Sequence, residues 1–169
     1  MQQASFVSPT DIEIAEIDPT AVIADWLAGL FARPVSIEAI HSFDSGADAA
    51  MLDLLDNEDA FRPGVAAIRA ALTGGTPEEL TRRLGMEFTL LFEGAGGPNP
   101  AAPYASAYLD ERGRLFQEAT AEMEELLRRH DLRVASESGE PADHLAIELA
   151  TLAHLRRLGE ANRADAARL

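Results

Sequence analysis

A chain of 169 residues, 47% of them hydrophobic, is long enough to bury one core without covalent staples and too apolar to remain disordered. It has no cysteine, which removes a disulfide framework, a thiolate zinc site and a cysteine nucleophile in one step. Twenty-nine acidic residues against fourteen basic ones, every one an arginine, set a formal charge of −15, which repels nucleic-acid phosphates and anionic lipid and attracts basic peptides.

Residues 1–17 read as a polar, mobile lead-in, and 18–169 as one helical domain. Asp18-Pro19 is a helix start, and Val22, Ile23, Trp26, Leu27, Leu30 and Phe31 follow at helical spacing until Pro34. Ser36 caps a short helix through Ile37 and Ile40. Further helices are expected from Asp48 to Leu55 and from Pro63 to Leu72, the latter stopped by Gly74-Gly75. Thr76-Pro77-Glu78-Glu79 is a capping box that launches Leu80, Leu84, Phe88, Leu91 and Phe92.

The stretch Gly94 to Pro103 is too rich in glycine and proline for a helix interior. A long helix is expected from Arg112 to His130, then a polar loop over Arg133 to Gly139, then a last helix from Pro141 through Leu155. No segment alternates as a strand with hairpin punctuation, so the expected fold is all-α, a single-domain helical bundle. No apolar run approaches a bilayer span and the N-terminus has no basic region followed by an apolar stretch, so a cytoplasmic resident is expected.

Two constellations stand out. The first joins Leu91-Phe92 to the loop carrying Pro103, Tyr104, Ser106 and Tyr108. It reads either as a proline-stiffened crossover or as one aromatic wall of a peptide groove. The second is Glu140-Pro141-Ala142-Asp143-His144, running on to Glu148 and Leu149. With Pro141 at the first helical position, Glu140 would be the cap and Asp143 would complement the positive helix end. His144 and Glu148, one turn apart, would share a face. Two ligands make no metal site, Ser106 lacks a nucleophile-elbow frame, and a chain without lysine has no phosphate loop. Catalysis lacks a candidate, and neither a metal nor a cofactor is expected.

In order along the chain, three stretches carry a resemblance: E-F-T-L-L-F-E-G from Glu87 to Gly94, P-Y-x-S-x-Y from Pro103 to Tyr108, and E-P-x-D-H-x-x-x-E-L from Glu140 to Leu149. With them the sequence resembles the TorD-like family of cytoplasmic maturation chaperones for exported molybdenum-containing oxidoreductases. The resemblance implies an all-helical fold, sometimes exchanged between subunits at the hinge before Glu140, and so a homodimer by domain exchange. It implies binding of the apoenzyme's catalytic subunit through its twin-arginine signal peptide, with no nucleic-acid or membrane partner. The matching residues Asp143 and His144 would then lie in the peptide site, beside Glu140, with Pro103, Tyr104, Ser106, Tyr108, Leu91 and Phe92 on the neighbouring wall and Glu148 as a supporting acid. The chain departs from the family in carrying Ala142 where a second acid is common, and in ending at Leu169, where a further C-terminal helix is expected. A helical scaffold without peptide binding, and a metal-dependent hydrolase using Asp143, His144 and Glu148, are the competing readings.

Overall fold

A computed structural model describes residues 18–94, 101–135, 138–159 and 162–169; the lead-in and the centre of the glycine-proline stretch lie outside the described residues. Helix α1 (Pro19–Ala32) begins where the Asp18 carboxylate accepts the N–H groups of Thr20 and Ala21 at 2.9 and 3.4 Å, while Pro19 supplies a helical φ without stranding a donor. Ser36 caps α2 (Ile37–Ser45), Gly46 separates it from α3 (Ala47–Asp56), and α4 (Arg62–Ala71) follows. Both halves of the capping box form at α5 (Pro77–Phe92): Thr76 Oγ1 accepts from Glu79 N–H at 3.3 Å and the Glu79 carboxylate accepts from Thr76 N–H at 2.9 Å. The chain continues through α6 (Ser106–Leu109), α7 (Glu118–Arg129), α8 (Leu145–Arg157) and α9 (Arg163–Ala166). Among the described residues the regular structure is all helical, as the patterning implies; the one β-type pairing is an isolated antiparallel bridge between Tyr104 and His144.

The long helix expected from Arg112 to His130 starts later. Asp110 diverts the chain: its carboxylate accepts the N–H groups of Arg112 and Arg114 at 2.9 and 3.0 Å and pairs with the Arg114 guanidinium. Gly113 and Phe116 then adopt left-handed φ values of 62° and 58°, which no helix interior tolerates. The last helix also starts later than Pro141. His144 is its cap, with extended backbone at φ −71° and ψ 132°, and helical geometry begins at Leu145.

α1 lies along α8 through small side chains. Ala21, Ala24 and Ala153 form a buried cluster with Leu149 and Leu152 packed against it, so the two backbones approach closely. Arg156 and Arg157 of α8 add ion pairs to Asp18 and Asp25 at 2.7 and 2.9 Å. On another side of α8, Met123, Leu126 and Leu127 of α7 meet Ala142, Leu155 and Ala166, the core that holds the site in place. α9 is fastened there by Asp165, which pairs with Arg129 at 3.1 Å and His130 at 2.9 Å. A further core of Leu52, Leu55 and Val65 joins α3 and α4, with half-buried Trp26 donating its indole N–H to Asp48 at 2.6 Å.

Candidate functional site

Two distant loops are zipped together at the start of α8. The Leu145 N–H donates to the Pro103 carbonyl at 2.8 Å and the Ala105 N–H donates to the Asp143 carbonyl at 3.1 Å, which makes the bridge between Tyr104 and His144. Asp143 closes a turn in which the His144 N–H donates to the Pro141 carbonyl at 3.1 Å, and His144 is the extended residue that follows. Asp143 therefore turns inward while His144 turns to the Tyr104 ring.

Asp143 is fully enclosed. Its two carboxylate oxygens accept the Ser106 N–H at 2.8 Å and the Thr120 hydroxyl at 2.7 Å, tying α6, α7 and the entry to α8 at one point. Burial alone would raise its pKa. The nearby Ser106 hydroxyl, with the hydrogen bonds donated by the Ser106 N–H and the Thr120 hydroxyl, outweighs that and holds the carboxyl below its usual value. The Ser106 hydroxyl is itself buried against this carboxylate without completing a hydrogen bond of its own among the described residues.

His144 is 6% exposed, and its Nδ1 accepts the Ala146 N–H at 3.1 Å, capping α8. The neutral ring then carries its proton on Nε2, and this N–H has no partner among the described residues. Burial pushes the His144 pKa down, against the opposing charges of Glu140 and Asp143. The Tyr104 ring meets the imidazole edge-to-face at 5.1 Å, and its hydroxyl donates to Glu140 at 2.7 Å. Burial, then the Glu140 hydrogen bond, push the Tyr104 phenol up to about 12.

His144 and Glu140 line a groove of about 530 Å³ between α1, α7, α8 and the segment after α7. Its apolar walls are Ala28, Leu127, Leu132, Val134 and Ile147. The groove thus offers one solvent-accessible N–H donor, one rim carboxylate and a hydrophobic floor.

The structure brings together Pro103, Tyr104, Ser106, Glu140, Asp143 and His144, and it changes several roles expected from the sequence. Asp143 does not complement the end of α8; that position belongs to the His144 ring, and both Asp143 oxygens are taken within the core. Glu140 is not a cap but the acceptor for Tyr104. Leu91 and Phe92 do not line the groove: Phe92 packs edge-to-face on Phe31 and Phe88, and Leu91 is 41% exposed. Tyr108 is 68% exposed and also lies off the groove. His144 and Glu148 line different grooves, because His144 precedes the helix instead of occupying its first turn. Thr120 is a site residue that sequence reading missed, since it sits at core spacing before Met123 and Leu127 and reads as helix filler.

With that geometry in hand, the class is an all-helical protein whose candidate site is an apolar groove beside the start of α8. Residues 58–169 match the family model described as nitrate reductase delta subunit, and the chain belongs to this family, the TorD family. The chaperone protein TorD of Shewanella sp. (strain ANA-3) is 34% identical over 137 residues, covering 80% of this chain and 65% of that one. The TorD of Shewanella pealeana is 31% identical over 157 residues, covering 88% of this chain and 71% of that one. The TorD of Vibrio vulnificus (strain YJ016) is 36% identical over 131 residues, covering 77% and 60%. The match thus spans roughly three-fifths to seven-tenths of the length of these relatives. A solved crystal structure of an Archaeoglobus fulgidus protein assigned to redox enzyme maturation aligns with 99% of this chain and 96% of its own at 16% identity, with a TM-score of 0.49.

Among the described residues no helix is long and apolar enough to cross a membrane, and no group of three or more histidine, aspartate or glutamate side chains converges as a metal site would require.

Proposed function

We propose that this chain is a non-catalytic, enzyme-specific chaperone that binds the twin-arginine signal peptide, or a related N-terminal segment, of a molybdenum-containing oxidoreductase. On this reading it works in the cytoplasm, keeps the apoenzyme competent for cofactor insertion and prevents premature export. The observation that carries the reading is an apolar groove lined by His144, whose solvent-accessible Nε2–H has no protein partner among the described residues. A bound main-chain carbonyl satisfies that donor, and apolar side chains fill the space between Ala28, Leu127 and Ile147. Family membership and the TorD relatives support the same conclusion. The net charge of −15 favours a basic segment at every stage of encounter. Asp143 acts by positioning in this account, holding the two loops so that Tyr104 and His144 meet.

The test is calorimetric titration of the whole chain with a twin-arginine peptide and its dilysine counterpart, with light scattering on the same samples. Binding of the arginine peptide in clear preference to the dilysine one is expected. Equal heats would remove arginine-specific recognition, and no heat from either peptide together with a stable dimer would favour a helical scaffold.

A further inference from the structure

A second groove flanks α8, about 100° round the helix from Ile147. It encloses about 630 Å³ between α6, α7, α8 and residues 168–169, with Leu109, Met123 and Leu126 as apolar lining and Glu122 and Glu148 among its acids. Met123 and Leu126 are buried, while Leu109 on α6 is 75% exposed, an apolar side chain standing at the groove without a cover.

Its charges are unevenly paired. Arg129 and Arg168 both engage Asp165, at 3.1 and 3.6 Å. Glu125 holds the Arg128 guanidinium through two bonds of 2.8 and 2.7 Å. Glu122 and Glu148 have neither an ion pair nor a side-chain hydrogen bond among the described residues. Glu148 is half-buried, and burial together with the nearby negative charge of Asp143 keeps its carboxyl above the ordinary range. A partly desolvated acid with no ion-paired cation is costly, since Arg129 and Arg168 in the same groove are held by Asp165, and an incoming cation relieves that cost. A guanidinium suits it better than an ammonium: its planar fork bonds both carboxylate oxygens, it gives up water more readily, and its methylene stem packs on apolar walls.

We propose that the α7–α8 groove is an arginine subsite for a bound polypeptide, with Glu148 receiving the guanidinium, Glu122 reinforcing the field, and Leu109, Met123 and Leu126 holding the stem. This inference rests on the peptide-binding reading and deepens it: the arginine contact falls to Glu148, because both Asp143 oxygens are already occupied inside the core.

The experiment is a double-substitution cycle. The whole chain and its Glu148→Gln variant are titrated with a synthetic peptide bearing two adjacent arginines before an apolar stretch, and with its neutral citrulline version. N-acetyl-arginine amide is titrated separately while the Met123 methyl resonance is followed. The wild type is expected to prefer the arginine peptide by about 10- to 100-fold, and Glu148→Gln to bind the two peptides equally. Glu122→Gln, at an exposed side chain, gives a smaller loss in the same direction. If citrulline weakens binding to wild type and Glu148→Gln by the same factor, the subsite is overturned while peptide binding stands. If no peptide binds yet the arginine probe moves Met123 in wild type and not in Glu148→Gln, the guanidinium site stands and the peptide reading falls. If peptide and probe both leave the wild type unchanged, both ideas are lost.

Discussion

Thr120, in the first turn of α7, donates its hydroxyl to Asp143 at 2.7 Å, and neither side chain meets appreciable solvent. This bond joins α7 to the turn that enters α8. The other Asp143 oxygen accepts the Ser106 N–H of α6, so one carboxylate sets the mutual position of three elements. The same contact presents His144, one residue on, to its groove.

Replacing Asp143 by alanine should therefore act first on stability. Two buried donors lose their acceptor, at roughly 1–3 kcal/mol each, so urea denaturation of Asp143→Ala should show a loss of about 2–6 kcal/mol. Asp143→Asn retains one carbonyl acceptor and should lose about half as much. Equal stability of Asp143→Ala and wild type would show that the carboxylate does not hold these elements together.

His144 combines a cap with a free donor, and substitution separates the two. Asparagine caps helices well, so His144→Asn should stay within about 0.5 kcal/mol of wild type, whereas His144→Ala should lose about 1 kcal/mol. Both lack Nε2–H and should bind peptide more weakly. Full peptide affinity in His144→Asn would show that this donor plays no part in recognition.

The depressed His144 pKa has a defined sign. Folding favours the neutral ring, so its contribution is complete above the unfolded-state pKa near 6.5 and is lost as pH falls through the lower folded value. Protonation also removes the lone pair that accepts the Ala146 N–H. Wild type should lose stability below about pH 6.5 by this route, and the loss should appear in the difference between wild type and His144→Asn, because the variant lacks the titrating ring.

Tyr104 supplies a spectroscopic readout of the loop pairing. Its phenol is held up to about 12, so its phenolate absorbance should emerge only near that pH. Glu140→Gln removes the acceptor charge and should bring the transition down. An unchanged transition in Glu140→Gln would mean that burial alone accounts for the shift.

Glu148 has the opposite linkage. Its folded pKa is raised, so the protonated form adds stability at low pH that is lost as pH rises through the folded value. The groups facing it are Asp143, Glu122, Glu125, Arg129 and Arg168. At neutral pH the half-buried charge is a liability, so Glu148→Gln should match or exceed the wild-type melting temperature while weakening arginine binding. A marked drop in melting temperature would instead identify Glu148 as a structural acid.

Helix starts were the most legible part of the sequence. Asp18-Pro19, Ser36 and Thr76-Pro77-Glu78-Glu79 each carry their own cap, so local chemistry alone is enough to place α1, α2 and α5. The cluster of Pro103, Tyr104, Ser106, Glu140, Asp143 and His144 could be named from the sequence as well, but not the task of each member. Proline before an acid reads as a helix start, yet Pro141 precedes a turn, because the Asp143 carboxylate takes its donors from Ser106 and Thr120 and not from a helix end. The break at Asp110 to Phe116 was hidden for a related reason: Glu111, Arg112, Arg114 and Leu115 are good helix formers that outnumber Gly113, and the carboxylate bonds of Asp110 override their propensity.

The Glu140-to-His144 segment shows where the division lies. The residue types, their order and the all-helical class are properties of the chain, written in spacing and caps that span a few residues. The enclosure of Asp143, the free donor on His144 and the unpaired acid at Glu148 depend on partners 23 to 37 residues away or on other helices. Such roles are assigned by desolvation and by which long-range hydrogen-bond partner is nearest, and both exist only once α6, α7 and α8 have packed.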